Sequence, residues 1–174
     1  MRLFYAITFK EKTKDILARY RDTLADHTLK GRFTSKENIH LTLAFIGEVK
    51  QGDLSAYESV LDHLTDEYIN LRASHVGTFK KKNKDILWIG LDKSDELTRL
   101  YKNLTLLLET YDLAYEKRKY HPHITVGRQV VLLEKDLILP PVNLELDSVA
   151  LMHSHRKNDI LTYEPIYQIK FKQP

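Results

Sequence analysis

The chain contains no cysteine. Disulfides, thiolate nucleophiles and cysteine-based zinc sites are therefore excluded. It also lacks any apolar run of membrane-spanning length. The first run, in MRLFYAITFKEKTK, meets charge at Lys10, too short for the core of a signal peptide. A cytoplasmic protein is the expectation. Strong charge of one sign is missing as well: the net charge is +3. That suits an anionic or a neutral ligand but is far from the density of a dedicated nucleic-acid binder. No low-complexity segment interrupts the chain. Pro140-Pro141 marks a loop, not a linker between domains.

What is present is ordinary in bulk and specific in detail. At 174 residues, with 43% hydrophobic and 29% charged residues, the chain reads as one domain spanning 1–174. Leu3 to Phe9 is apolar, aromatic and β-branched, and predicts a buried strand. Ile16, Leu17, Tyr20 and Leu24 then recur at helical spacing to about His27, with Gly31 ending that element. Ile39 to Ile46 predicts the next strand, closed by Gly47. Asp53 is placed to cap a helix carrying Leu54, Tyr57, Val60, Leu61 and Leu64. A strand over Ala73 to Phe79 and another over Ile86 to Leu91 flank the polar tip Lys80-Lys81-Lys82-Asn83-Lys84. Ser94, followed by Asp95 and Glu96, opens a third helix well. Strands follow at His121 to Gly127, Val142 to Met152 and Ile160 to Phe171, the last two forming a hairpin across Arg156 to Asp159.

Within this order one phrase occurs twice. His40-Leu41-Thr42-Leu43 and His123-Ile124-Thr125-Val126 each read histidine, apolar, threonine, apolar inside a strand. Alternation puts the imidazole and the hydroxyl on one face and the apolar residues on the other. Each phrase also closes a strand–helix–strand unit of equal length. His40 lies 37 positions after Leu3, and His123 lies 37 after Ile86, which points to an internal duplication.

The chain carries its own control. His63-Leu64-Thr65 is a third His-x-Thr, but its context is helical, where the two side chains stand about 200° apart. The tripeptide means little without a strand. Two paired phrases offer two histidines near neutral pKa, one to take a proton and one to give it. Threonine hydroxyls and backbone N–H groups donate to phosphate oxygens, and no metal is needed. The combination suits in-line attack on a phosphodiester.

At these residues the chain resembles the two-histidine (2H) phosphoesterase superfamily, and within it the RNA 2′,3′-cyclic phosphodiesterase / 2′-5′ RNA ligase family. The resemblance runs through RLFYAITF, ENIHLTLAFIG, GTFKKKNKDILWIGL, HPHITVGR and ILTYEPIYQIKF. It implies an α+β fold of two pseudo-symmetric lobes, each an antiparallel sheet flanked by helices, with the active-site cleft between them. It implies hydrolysis of an RNA or nucleotide 2′,3′-cyclic phosphate to a 2′-phosphate, with no cofactor. His40 and His123 carry over as the catalytic pair, and Thr42 and Thr125 as phosphate donors. By that analogy His123 activates water and His40 protonates the leaving 3′ oxygen. Arg128 matches a phosphate-binding arginine. A regular strand would turn Arg128 away from His123, so it contributes only where the strand ends or bulges near Gly127. Phe33 stands where relatives carry a tryptophan, a position for nucleobase stacking.

Two other readings share these residues. In a 2′-5′ RNA ligase or transferase, an RNA hydroxyl replaces water. In a non-catalytic RNA-end binding module, the fold persists without turnover, although a pure binder has no need of two titratable groups. His121 with His123, and His153 with His155, have the spacing of strand metal ligands. The first pair is already used, and no metal is expected. The lysine run is a solvated turn or an electrostatic guide for RNA. Trp88 and Tyr163 are expected in the core or the cleft wall. RNA ends or small cyclic nucleotides are the expected partners. No conspicuous exposed apolar helix is seen, which favours a monomer.

Overall fold

The computed structural model describes residues 1–64, 67–82 and 84–174. Thr65 and Asp66, which include the threonine of the third His-x-Thr, and Asn83 of the lysine-rich tip lie outside the described residues. The elements run β1 (Arg2–Phe9), α1 (Glu11–Ala25), β2 (Thr28–Phe33), β3 (Leu41–Glu48), α2 (Leu54–Asp62), β4 (Leu71–Phe79), β5 (Asp85–Leu91), α3 (Asp95–Thr110), β6 (His123–Leu132), β7 (Val142–Leu144), β8 (Leu146–Lys157) and β9 (Ile160–Lys170).

They form two antiparallel sheets, ordered β3-β1-β8-β9 and β2-β6-β5-β4-β7. The two strand–helix–strand units become the centres of two pseudo-symmetric α+β lobes: β1 pairs with β3, and β5 with β6. The copies differ by one residue of register. Leu41 faces Ile7, whereas His123 faces Gly90, and both ladders carry register shifts along their length.

The unbroken apolar run of β1 has a physical reason. Leu3, Tyr5 and Ile7 enter the main core, while Phe4 and Ala6 pack with Ala150 and Met152 on the opposite face. A strand covered on both sides needs no polar alternation. Tyr5 ties the sheet to α2 by donating its hydroxyl to the Tyr57 carbonyl at 2.7 Å. Ser94 caps α3 as its sequence suggests, accepting from Leu97 N at 3.1 Å. Asp53 occupies the N-cap of α2 but makes no side-chain cap bond. His63 lies at the C-cap of α2, its Nδ1 2.8 Å from the Ser59 carbonyl.

Two expectations about the strands are corrected. Residues 28–33 are not the tail of a helix ended by Gly31 but strand β2, with Gly31 inside it. It is a half-exposed edge strand, so it carries no apolar alternation to announce it. Glycine is needed there: a Cβ would stand 2.9 Å from Val130 Cγ2 and 3.1 Å from Phe33 Cζ. The run from Val142 to Met152 is not continuous. It breaks at Glu145, whose carbonyl accepts from Lys10 N at 3.1 Å. β7 then joins the edge of one sheet through β4, while β8 joins the other through β1.

Candidate active site

His40 stands between a 3-10 turn, Lys36–Asn38, and the start of β3. Its Nδ1 lies 2.7 Å from the Asn38 carbonyl and its Nε2 2.9 Å from Thr42 Oγ1. A carbonyl only accepts, so Nδ1 carries the hydrogen, and in the neutral ring Nε2 accepts from the Thr42 hydroxyl. Tyr163 meets the ring edge-on at 5.2 Å, and Phe4 lies tilted against it at 5.1 Å.

Asn38 is the residue that sequence reasoning missed here. It is buried, donates Nδ2 to the Leu161 carbonyl at 2.8 Å and accepts from Tyr163 N at 3.1 Å. The carbonyl that orients His40 is thus fastened to β9, a strand from the far end of the chain. The available signal was a polar residue directly ahead of the apolar strand.

His123 is held by the same device. Its Nδ1 lies 2.6 Å from the carbonyl of His121, again two residues back. Phe79 stands edge-on to it at 4.8 Å, Trp88 lies at 6.1 Å, and His121 is 5.1 Å from Trp88. Trp88 is buried opposite Thr125 on the neighbouring strand. Thr125 accepts Thr34 Oγ1 at its carbonyl, 3.2 Å away. Among the described residues its own hydroxyl has no hydrogen-bond partner.

Arg128 reaches the cleft through an irregular strand. Trp88 faces Thr125 and Leu87 faces Gly127, so Val126 is an extra residue in β6. One extra residue reverses the parity, and Arg128 comes to the side of Thr125. The distortion continues into Gln129, whose φ is 53°. Arg128, His40, Thr125, Phe33 and Tyr163 line one cleft of about 300 Å³. Thr42 and His123 line the neighbouring recess of about 190 Å³, with Arg118 and Tyr120 in its wall. The two motifs thus sit side by side, one histidine opening to each recess.

Burial and positive charge lower the pKa of both rings. His40 is pushed down to about 4, by burial first and then by the charges of Arg128 and His123, against the opposing bond to Asn38. His123 is also lowered, chiefly by burial, with His121, Arg128 and Arg118 adding and the His121 carbonyl opposing. Arg128 therefore acts on both histidines. A phosphate anion beside them acts in the opposite sense and raises both.

The other histidines lie elsewhere. His121 and His123 are 5.9 Å apart, ring to ring, at an inclined angle. His153, His155 and Glu164 gather, with ligand-capable atoms within 4.8 Å of one another. They occupy the β8–β9 face that carries Leu151, across the sheet from Tyr163. Of the lysine run, Lys80 pairs with Asp85 at 3.0 Å across the hairpin, and none of the described lysines there lines the cleft.

The family model for LigT-like phosphoesterases matches residues 7–88. An RNA 2′,3′-cyclic phosphodiesterase of Thermotoga maritima is 28% identical, covering 99% of this chain and 96% of that protein. One of Methanocaldococcus jannaschii is 32% identical over 74% of this chain and 71% of its own. A crystal structure of E. coli LigT complexed with 3′-AMP superposes with a TM-score of 0.80 at 24% identity, covering 99% of this chain and 98% of that one. Two such lobes, each bringing a His-x-Thr strand to one cleft, define a two-histidine phosphoesterase. The chain belongs to the LigT-like RNA 2′,3′-cyclic phosphodiesterase family. No helix among the described residues is long and apolar enough to cross a membrane.

Proposed function

We infer that this protein is an RNA 2′,3′-cyclic phosphodiesterase that opens the cyclic phosphate to a 2′-phosphate. The observation that carries this is the matched clamp on the two histidines. Each Nδ1–H is tied to the carbonyl two residues back, which leaves each Nε2 for proton transfer. A binding module has no use for two rings fixed in the same tautomer.

Water attacks phosphorus, and the P–O3′ bond breaks. One histidine takes the proton from water and the other gives a proton to O3′. His40 opens to the larger recess, with Phe33 and Tyr163, where a nucleoside and its leaving oxygen fit. His123 opens to the smaller one, suited to water. This supports His40 as the acid and His123 as the base. His40 acquires its proton as the phosphate binds, because the anion offsets the charge of Arg128. Thr42, Thr125 and Arg128 donate to the non-bridging oxygens, where charge develops, and Phe33 packs against the base.

Both lobes are needed to complete the cleft, so residues 1–174 act as a single bilobal domain. Since one chain carries both motifs, the reading needs no second subunit, and a cytoplasmic monomer acting on RNA ends is the setting we propose.

The test is hydrolysis of cytidine 2′,3′-cyclic phosphate in EDTA, with the product identified by phosphorus NMR. A 2′-phosphate is expected, and His40→Ala and His123→Ala each abolish turnover while remaining folded. A 3′-phosphate product, loss of activity with the chelator, or turnover in both variants overturns the reading.

A further inference from the structure

The floor of the cleft is nearly symmetric, but its walls are not. Beside His40 the wall comes from β2 and from the tip of the β8–β9 hairpin. β2 lies within the first strand–helix–strand unit and has no counterpart between α3 and β6 of the second. β8 and β9 pair through ten residue pairs, whereas β4 and β7, in the corresponding place of the other lobe, pair through three. These asymmetric elements bring Arg32 and Arg156 to the same cleft as Arg128.

Arg32 faces Arg128 directly across the β2–β6 ladder. Directly opposed residues hold their Cβ atoms about 4.5–5.5 Å apart, and like charges there are destabilising. Three arginines outside the cleft have a carboxylate partner, Arg21 in Asp22, Arg72 in Asp92 and Arg118 in Glu116, whereas Arg32 and Arg128 crowd each other. Among the described residues no carboxylate pairs with Arg32, Arg128 or Arg156. Arg156 donates Nη1 to the Asp159 carbonyl at 2.9 Å, which fixes it at the hairpin tip and leaves its charge uncompensated. No acidic side chain among the described residues lines this cleft. The recess on the other side of His40, of about 410 Å³, sets Glu11, Glu37 and Asp147 against Lys10 and Lys14. The polyanion path is on the arginine side.

The charges do not balance for a mononucleotide. A terminal cyclic phosphate carries a single negative charge, which Arg128 alone answers. Each upstream nucleotide adds one more phosphodiester. We propose that Arg32 and Arg156 form a subsite for the phosphodiester upstream of the cyclic end, so that the preferred substrate is the end of an RNA chain. This rests on the phosphodiesterase reading above and extends it from the reacting bond to the polymer.

The experiment compares kcat/KM for cytidine 2′,3′-cyclic phosphate with that for a tetraribonucleotide ending in the same group. The native protein favours the tetranucleotide by about tenfold or more, since 1.4 kcal/mol of added contact is tenfold. Arg32→Ala/Arg156→Ala loses that preference through KM, while its mononucleotide kcat/KM stays within about twofold. With one phosphate of the single strand no longer neutralised, the slope of log(kcat/KM) against log salt flattens by about 0.7. Arg32→Lys/Arg156→Lys retains most of the native slope. Equal efficiency on both substrates in the native protein, or an unchanged ratio and slope in the alanine variant, overturns the subsite while leaving the phosphodiesterase standing. Failure to open either substrate overturns both.

Discussion

The Nε2 of His40 lies 2.9 Å from the hydroxyl of Thr42, two residues further along β3. The same atom is the proposed donor to the leaving 3′ oxygen, so Thr42 holds it in place until substrate arrives. Replacing O3′ with sulfur gives a leaving group that departs as a thiolate without help from an acid. His40→Ala is therefore expected to recover most of its lost rate on a 3′-thio substrate, whereas His123→Ala stays inactive. Rescue of His123→Ala instead exchanges the two roles. Thr42→Val is expected to lower kcat by about a hundredfold to a thousandfold, the usual range for losing one donor to a developing charge, with CD spectra unchanged.

The depressed histidines also set the pH profile. kcat/KM reports the free enzyme, whose working form carries one proton on the pair. That form is populated between the two macroscopic pKa values, whichever ring holds the proton. Both values lie below the unperturbed 6.5, with His40 at about 4. The maximum of kcat/KM is therefore expected on the acid side of neutrality, and that of kcat at higher pH, because bound phosphate raises both groups. A kcat/KM maximum above pH 7 contradicts this ordering.

Stability follows from the same shift. The unfolded chain binds a proton at His40 near pH 6.5 and the folded chain only near 4, so the folded state loses stability as pH falls through that interval. The contribution is fully present above 6.5 and gone below about 4. One pKa unit is worth about 1.4 kcal/mol, so the full loss is on the order of 3–4 kcal/mol, of which about 2–3 kcal/mol has occurred by pH 4.5. Urea unfolding at pH 7.5 and 4.5 measures it: His40→Gln is expected to lose less stability than the native protein by about that amount. An equal loss in the two proteins excludes His40 as the cause.

The motifs were legible because strand alternation and side-chain chemistry agree at His40, Thr42, His123 and Thr125. Their neighbourhood was less so, for identifiable reasons. β2 is a half-exposed edge strand whose partner, β6, lies about a hundred residues away, and it hid Arg32 with it. Asn38 matters through bonds to Leu161 and Tyr163 that no local window contains. The side taken by Arg128 depends on one extra residue opposite Leu87 and Trp88, and alternation alone gives the wrong face.

That extra residue makes Gly127 the most informative position outside the histidines. A Cβ there would stand 2.9 Å from Val130 Cγ2 and 3.2 Å from Phe33 Cδ1. Gly127→Ala must therefore displace Val130 and Phe33 or relax the bulge, and either movement disturbs the cleft wall beside Arg128. Overpacking of this kind costs about 1–3 kcal/mol. The expected result is a lowered melting temperature together with a KM raised by about tenfold, as base contact and phosphate contact loosen. Phe33→Ala in the same background gives the bulge its room back and is expected to restore part of the melting temperature but not the KM. Recovery of both would mean that Phe33 contributes nothing to substrate binding.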